Sequence, residues 1–265
     1  MSMTRGQLQA LTERDVHDPI PSELLQQALS TPPFLPVPEL INIRDLGAVP
    51  GSGVRQEALK WLAANVKQVF DVRTSAEREK HADPHVAGVA NTWLESAGVH
   101  TPPDLNDFVE AGGEVGLRKE YLKVLDLYRP IYRAILEHVR DKPDDPFLFH
   151  CTAGRDRTGV MAGLLQSLAG TAPEDVRFDY MLSRIGTEPA RERLLQQVRA
   201  GGGSLAFEQH PGFYNLCSLR ASCWDAFVAA LREAHGGWEG YVVGALGFSS
   251  DDLARIKNNL SERVD

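Results

Sequence analysis

The ten residues from His150 to Gly159, HCTAGRDRTG, restrict the fold of this chain more than any other segment. A short β-rich run, residues 146–150 (PFLFH), leads into them, and the apolar stretch that begins at Val160 has the pattern of a helix. The chain therefore passes from a strand through a loop of small residues into the start of a helix. Such a loop points successive backbone N–H groups into one concavity, and the helix N-terminus adds partial positive charge. We therefore predict that this loop binds a dianionic phosphate.

The side chains of the loop predict nucleophilic chemistry on a phosphate ester. Cys151 lies beside the helix N-terminus and two arginines, so its thiolate is favoured below the free-thiol pKa of about 8.5. Arg157 can offer a planar fork to two phosphate oxygens while Cys151 attacks phosphorus in line. Thr158 is placed to hydrogen-bond the departing sulfur, and His150 to order the loop. The predicted phosphate-binding residues are Thr152, Ala153, Gly154, Arg155, Asp156 and Arg157.

The alternative interpretation of Cys151 is a small buried core residue, the role that we expect for Cys217 and Cys223. For Cys151 this alternative would leave the charged residues 155–157 (RDR) crowded beside a thiol with no ligand to satisfy them. Such clustered charges are costly unless they are paired or used. The pattern therefore favours a functional cysteine.

Net charge limits the partners that the chain can bind. Its 28 Lys and Arg residues stand against 36 Asp and Glu residues, which gives a formal charge of −8. This balance argues against binding to nucleic acid and against stable association with an anionic membrane. An anionic ligand must therefore be held by a local cluster of positive groups, such as the loop at 150–159.

Targeting signals and cysteine usage predict a cytoplasmic protein. The first 30 residues carry charged side chains without a continuous apolar core, so no secretory signal is predicted. No apolar run approaches the roughly 18 residues of a membrane-spanning helix. The 3 cysteines do not resemble a secreted disulfide framework.

The alternation of β-rich and helical segments predicts an α/β fold. The sequence predicts three strands, separated by helical segments, at residues 67–73, 86–94 and 146–150. Strands joined through helices indicate a central, mostly parallel sheet flanked by helices.

The segment 121–140 has apolar residues at helical spacing, and we expect Pro130 to kink that helix. Beyond residue 156 the pattern is almost entirely helical, which predicts a helix-rich C-terminal half with breaks at 201–203 and 236–237. The predicted helices are 156–169, 173–185, 188–200, 219–235 and 250–262.

We predict a single domain over residues 1–265, in which residues 1–38 form an N-terminal extension. The least regular stretch is 95–119, which either forms a lid over a site or is a surface loop. Both alternatives stay open at the level of sequence.

Three sequence segments carry a resemblance to a known family: residues 42–47 (NIRDLG), 70–79 (FDVRTSAERE) and the loop 150–159. Together they resemble the cysteine-dependent protein tyrosine phosphatase superfamily. More narrowly, they are similar to the bacterial and fungal branch typified by mycobacterial tyrosine phosphatase B, as is the tail 236–260. The resemblance covers most of the chain from about residue 40 onward.

The resemblance implies a cysteine-phosphatase fold, a phosphocysteine intermediate on Cys151 and phosphate binding by Arg157 in the CX5R loop. In this branch the acidic residue of the loop, here Asp156, is associated with proton donation to the leaving group. Expulsion of an alkoxide or phenoxide needs a proton donor, and the chain contains no Trp-Pro-Asp sequence.

Asp71 is the competing acid, and its alternative role is an ion pair with Arg44 or Arg73 at the end of a strand. Arg44 and Asp45 are interpreted either as a support for the phosphate loop or as an ordinary surface pair. Weaker candidates for the acid are Asp83, Asp104 and Asp107.

We therefore expect a metal-independent protein tyrosine phosphatase, with no cofactor and no metal-ligand spacing such as H-E-x-x-H. Its expected substrates are phosphorylated proteins or small phosphomonoesters. Dual specificity stays open, because it depends on pocket depth. Phosphoinositide hydrolysis also stays open, because Arg155 stands where close relatives carry Lys in the loop. The alternatives are a catalytically idle phosphate-binding module and a sulfurtransferase or arsenate reductase that uses a loop thiolate.

Overall fold

The computed structural model describes residues 2–35, 42, 55–202 and 205–261. Within them lies a sheet of three parallel strands, in the order β2-β1-β3. The strands are β1 (Gln68–Asp71), β2 (Ala90–Trp93) and β3 (Phe147–His150). Asp71 pairs with Trp93 on one side and with His150 on the other, so the carboxyl ends of the strands meet at one edge. The predicted α/β class and parallel strands are confirmed.

Helices make up most of the described chain. None of them is long and apolar enough to cross a membrane. In chain order they are α1 (Arg5–Thr12), α2 (Ser22–Leu29), α3 (Arg55–Asn65), α4 (Ser75–Lys80), α5 (Glu114–Leu127), α6 (Arg129–Asp141), α7 (Asp156–Leu168), α8 (Pro173–Gly186), α9 (Arg191–Gly202), α10 (Leu205–Glu208), α11 (Phe213–Cys217), α12 (Ala221–His235), α13 (Gly237–Gly240) and α14 (Ser250–Leu260).

Two predicted boundaries differ from the structure. The single kinked helix at 121–140 is in fact two helices, because α5 ends at Leu127 and α6 begins at Arg129. Pro130 lies in the first turn of α6, where no intrahelical N–H donor is required, so it starts a helix instead of kinking one. The predicted break at 201–203 is also wrong at its first residues, since α9 continues to Gly202.

The second predicted strand is shorter than its β-rich run. Residues 86–89 form a turn, in which Gly88 has φ 82° and Val89 N–H bonds to the Val86 carbonyl, and only then does β2 begin. A positive φ is favourable for glycine and interrupts an extended strand. The structure therefore confirms the strand but not its first half.

The predicted N-terminal extension packs on the rest of the chain. Apolar side chains of α1 and α2, including Leu8 and Ala28, form a buried cluster with Ile185 of α8. The Arg184 guanidinium, which is 3% exposed, donates to backbone carbonyls of residues 14, 15 and 18. Because a buried guanidinium needs its donors satisfied, these bonds fix the N-terminal segment on α8.

The main core surrounds α7, the helix that leaves the HCTAGRDRTG loop. Val160, Met161 and Leu164 have no exposed surface, and they pack in one cluster with side chains of α5, α6, α8 and α12. Cys217 and Cys223 are free and buried, as expected of core cysteines. A rigid apolar helix behind the loop therefore fixes the position from which the loop emerges.

The irregular stretch 95–119 contains two 3₁₀ turns, Leu105–Phe108 and Ala111–Gly113, before α5 begins. Phe108 is completely buried, and a Cβ at Gly116 would approach its ring to 2.4 Å. The Phe108 carbonyl also accepts a hydrogen bond of 2.8 Å from the Asn215 side chain. Phe108 therefore anchors the second half of the stretch, and a lid role stays a prediction.

Candidate active site

The loop between β3 and α7 has a backbone shape that its sequence requires. Gly154 has φ 63°, a left-handed conformation that glycine adopts without a steric penalty. Asn42 Nδ2 donates to the carbonyls of Ala153 and Gly154, at 3.3 and 2.6 Å. Asn42 therefore holds the loop backbone directly, although sequence analysis assigned this residue no role of its own.

Cys151 follows β3 directly and is 7% exposed. Burial alone would raise the pKa of its thiol, but the positive charge of Arg157 and the hydroxyl of Thr158 outweigh burial, so the pKa is lowered. Thr158 Oγ1 is buried and makes no hydrogen bond of conventional geometry within the described part of the chain. Because Thr158 also contributes to the lowered pKa of the Cys151 thiol, its predicted interaction with the sulfur stays a prediction that this position suits.

Arg157 is held by Glu77 of α4, a residue that sequence analysis did not propose for the site. Its Nη1 and Nη2 atoms lie 2.6 and 2.7 Å from the two carboxylate oxygens of Glu77. The Thr152 hydroxyl donates to the same carboxylate. Burial opposes ionisation of Glu77, yet Arg157 holds its pKa well below the ordinary range. The result is a two-point contact that fixes the plane of the guanidinium.

The capping of α4 places Glu77 at this point. Thr74 Oγ1 accepts the Glu77 N–H, while the Glu77 carboxylate accepts from Thr74 N–H at 2.8 Å, which forms a complete capping box. Sequence analysis predicted neither this helix nor the contact between Glu77 and Arg157, because the two residues are 80 positions apart along the chain.

Tyr128 and His100 lie beside Arg157. The Tyr128 hydroxyl is 3.4 Å from Arg157 Nη1, and the guanidinium carbon is 5.6 Å from the centre of the Tyr128 ring. The His100 ring meets Tyr128 edge-on, with ring centres 6.0 Å apart. Burial, together with the positive charge of Arg157, lowers the pKa of His100. The stretch 95–119 thus contributes one side chain to the surroundings of the loop.

Asp156 has a different set of partners from Arg157. Its Oδ1 atom accepts from Tyr121 Oη at 2.8 Å and from Arg155 Nε at 3.0 Å. The Arg155 guanidinium also donates to the Cys217 carbonyl of α11 at 2.6 Å and approaches the Leu216 carbonyl. Arg155, predicted to bind phosphate, is therefore engaged with Asp156 and α11, whereas the Asp156 side chain keeps 34% of its surface exposed.

Asp71, the competing acid, is 2% exposed and surrounded by arginines. It accepts from the backbone and side chain of Arg73, at 2.9 Å in each case, and it lies 2.9 Å from Arg78 Nε. Arg73 also donates to Asp83, which contacts His150 Nε2 at 3.2 Å. Burial would lower the pKa of His150, but Asp83 outweighs it and the pKa is raised. This network supports the strand ends behind the loop.

The ligand atoms of Asp71, Asp83 and His150 lie within 4.8 Å of one another, close enough to suit a metal ion. The two arginines already supply positive charge at Asp71, however, and Arg73 also neutralises Asp83. A divalent cation would meet electrostatic repulsion there. The cluster is therefore better described as an ion-pair network than as a metal centre.

The other predicted site residues fall into two groups. Arg44 and Asp45 lie outside the described residues. Asp104 accepts the Asn106 N–H at the start of a 3₁₀ turn, and Asp107 pairs with Lys119 at 2.6 Å, so these two of the three weaker acid candidates have partners of their own.

Comparison with known proteins agrees with the geometry of the loop. A family model described as the tyrosine phosphatase family matches residues 35–262, a range that includes the site. The chain is similar to a tyrosine-protein phosphatase of Nostoc commune, with 27% identity over 229 residues, 86% of this chain and 76% of that protein. It is also 35% identical over 112 residues to a protein of Cupriavidus necator whose name assigns it provisionally to the tyrosine-protein phosphatases. That match covers 42% of this chain and 38% of the relative.

Proposed function

Because the chain belongs to the tyrosine phosphatase family and is a hydrolase of phosphorylated substrates, we propose that it acts on phosphotyrosine through a phosphocysteine intermediate on Cys151. One observation carries this mechanism. The lowered pKa of the buried Cys151 thiol arises from Arg157, and Glu77 fixes that same Arg157 by two hydrogen bonds. A thiolate and an oriented guanidinium are the two groups that attack on a phosphate ester requires.

The first step transfers the phosphoryl group to sulfur. The Cys151 thiolate attacks phosphorus as the bond to the leaving oxygen breaks, and the electron pair of that bond moves to the leaving oxygen. Asp156 gives that oxygen a proton, which produces a neutral phenol. The loop N–H groups, the α7 N-terminus and Arg157 stabilise the charge on the equatorial oxygens.

The second step regenerates the thiolate. A water molecule attacks phosphorus and gives a proton to the Asp156 carboxylate, while the phosphorus–sulfur bond breaks and its electron pair returns to Cys151. Thr158 Oγ1, buried beside the sulfur without a conventional partner among the described residues, stabilises the departing thiolate. The products are inorganic phosphate and the free enzyme.

The environments of the two acids support Asp156 as the proton carrier. Asp71 is almost fully buried against Arg73 and Arg78, so a substrate oxygen has little access to it. Asp156 lies within the 150–159 loop at the first position of α7, and it keeps part of its surface open. A general acid must reach the leaving group within hydrogen-bond distance. An acid inside the loop also supports placement in the branch typified by mycobacterial tyrosine phosphatase B.

The surroundings of the loop support phosphotyrosine over a phosphoinositide. His100, an exposed residue whose ring meets the buried Tyr128 edge-on, offers aromatic surface near Arg157, which suits the ring of a phosphotyrosine. A highly charged inositol headgroup would need further cations, but the Arg155 guanidinium is engaged by Asp156 and the Cys217 carbonyl. Dual specificity remains part of the proposal, to be measured with phosphoserine and phosphothreonine peptides alongside phosphotyrosine.

The test compares Cys151→Ser with Cys223→Ser, using para-nitrophenyl phosphate. Burial raises the pKa of the Cys223 thiol to about 11, so this matched cysteine is not a nucleophile at neutral pH. We expect Cys151→Ser to lose turnover by at least about 10⁴-fold while retaining phosphate binding, and Cys223→Ser to stay within about twofold. Turnover by Cys151→Ser close to that of the unmodified enzyme would overturn the phosphocysteine mechanism.

A further inference from the structure

A pair of buried tyrosines leads from the helical core to the proposed proton carrier. Tyr121 and Tyr180 are 2% and 1% exposed, and their hydroxyl oxygens are 2.7 Å apart. Tyr121 Oη lies 2.8 Å from Asp156 Oδ1. We propose that Tyr121, supported by Tyr180, is a positioning residue that anchors Oδ1 of Asp156 and leaves Oδ2 to exchange the proton with the leaving group. This inference rests on the proposed role of Asp156.

The direction of the hydrogen bonds follows from the number of protons available. An ionised carboxylate can only accept, so Tyr121 donates its single hydroxyl proton to Asp156. The Tyr121 oxygen must then accept from the Tyr180 hydroxyl. Burial, reinforced by the negative charge of Asp156, raises the pKa of both phenols above their ordinary value. Both tyrosines therefore remain donors at neutral pH.

Packing prevents the tyrosines from moving away from the carboxylate. The Tyr180 ring on α8 stacks on Trp224 of α12, with ring centres 4.4 Å apart and planes inclined by 25°. The Tyr121 ring on α5 meets Phe227 edge-on, at 5.3 Å and 86°. Three packed helices therefore hold the hydroxyl of Tyr121 at a fixed point beside the loop.

The two oxygens of Asp156 have unequal partners. Oδ1 accepts from the Tyr121 hydroxyl at 2.8 Å and from Arg155 Nε at 3.0 Å. Oδ2 accepts from Arg155 Nε at 3.1 Å and has no tyrosine partner within the described chain. A proton placed on Oδ2 leaves the bond from Tyr121 intact. A proton on Oδ1 would compete with that bond. The geometry therefore assigns the transferred proton to Oδ2 and the orientation of the carboxyl group to Oδ1.

The experiment measures how strongly each variant depends on the leaving group. Phenyl phosphate expels a basic phenoxide and needs a proton, whereas para-nitrophenyl phosphate expels a much less basic oxygen. We expect Tyr121→Phe to lower kcat for phenyl phosphate about tenfold and kcat for para-nitrophenyl phosphate by no more than about twofold. Tyr180→Phe, which keeps Tyr121, should change the ratio of the two rates in the same direction by a smaller factor.

The matched control is Tyr241→Phe. Tyr241 is also fully buried, but its hydroxyl donates to the Leu125 carbonyl at 2.6 Å instead of to the loop. We expect this variant to lower the melting temperature without changing the ratio of the two rates. An equal change of the ratio in all three phenylalanine variants would overturn the positioning role, because it would show a general effect of core packing.

A double-mutant cycle with Asp156→Asn separates the inference from the proposed function. If Tyr121 acts through Asp156, adding Tyr121→Phe to Asp156→Asn should cost no more than about twofold further for phenyl phosphate. Independent losses that multiply would refute the coupling. If Asp156→Asn lowers kcat equally for phenyl phosphate and para-nitrophenyl phosphate, the proton-carrier assignment itself is refuted. If Asp156→Asn lowers kcat more for phenyl phosphate than for para-nitrophenyl phosphate, but Tyr121→Phe does not, the positioning role alone is refuted.

Discussion

Arg155 and Arg157 are two residues apart in one loop, yet their guanidinium groups serve different parts of the molecule. Arg157, in the first turn of α7, has its two terminal nitrogens on Glu77 and lowers the pKa of Cys151. Arg155, just before that helix, contacts Asp156 and the Cys217 carbonyl of α11. The backbone turns between the two positions, so equal side chains diverge. In the proposed mechanism Arg157 binds the phosphate, whereas Arg155 holds Asp156 and α11.

The surroundings of each arginine explain the difference. On the Arg157 side, Glu77 reaches the loop from the short helix α4 and brings a charge that is half-buried and strongly held. On the Arg155 side, the partners are backbone carbonyls and a carboxylate that is itself bound by Tyr121. A single type of side chain thus takes a chemical or a structural role according to what the fold places opposite it.

The sharpest test of this comparison substitutes lysine at each position. We expect Arg157→Lys to lower kcat/KM for an aryl phosphate about 10²- to 10³-fold, because lysine cannot form the planar fork that binds phosphate and Glu77 together. Arg155→Lys should cost no more than about tenfold. Steady-state kinetics of both variants provides the measurement, and equal losses would show that Arg155 also binds the phosphate.

A smaller effect is expected at Glu77. Glu77→Gln keeps the size of the side chain but removes the charge that fixes Arg157, so kcat/KM should fall about 10- to 100-fold, the value of one charged hydrogen bond to a buried partner. The control is Glu79→Gln, an exposed residue two positions further along α4. Similar losses in the two variants would indicate that the net charge of α4, and not the contact with Arg157, affects the rate.

The smallest expected effect concerns stability and pH. Burial works against ionised Glu77, but Arg157 outweighs burial and holds the pKa in the folded chain below the ordinary 4.5. A carboxylate whose pKa is lowered by folding stabilises the fold fully at pH values above its pKa in the unfolded chain. This stabilisation is lost as the pH falls towards and through its pKa in the folded chain. The difference in unfolding free energy between Glu77→Gln and the unmodified chain should therefore be largest near pH 7 and shrink below about 4.5. Denaturant titrations at several pH values would measure it, and a pH-independent difference would contradict it.

The predictability of the site depends on distance along the chain. The loop placed Cys151, Arg157 and Thr158 in one short segment, because a strand, a glycine-containing turn and a helix start suffice to bring them together. Glu77 and Tyr121 meet the loop from 80 and 35 positions away, and no local periodicity encodes those contacts. They depend on how α4 and α5 pack against the sheet and α7.

Secondary structure shows the same division. The parallel strands followed from short β-rich runs, and the long helices followed from helical periodicity and capping signals. Short helices such as α1 and α4 were not predicted, although each begins with a capping box. Pro130 was interpreted as a kink because only the structure shows that α5 ends at Leu127, two residues before α6 begins at Arg129.

The sequence by itself determined which residues carry the proposed chemistry: a cysteine, an arginine and a threonine in one loop at the start of a helix. The tertiary structure decided which charged group serves which purpose. Glu77 holds Arg157, Tyr121 holds Asp156, and Arg155 is engaged by α11. The physical reason is that local backbone geometry is specified over a few residues, whereas the pairing of buried charges and phenols depends on the packing of distant helices.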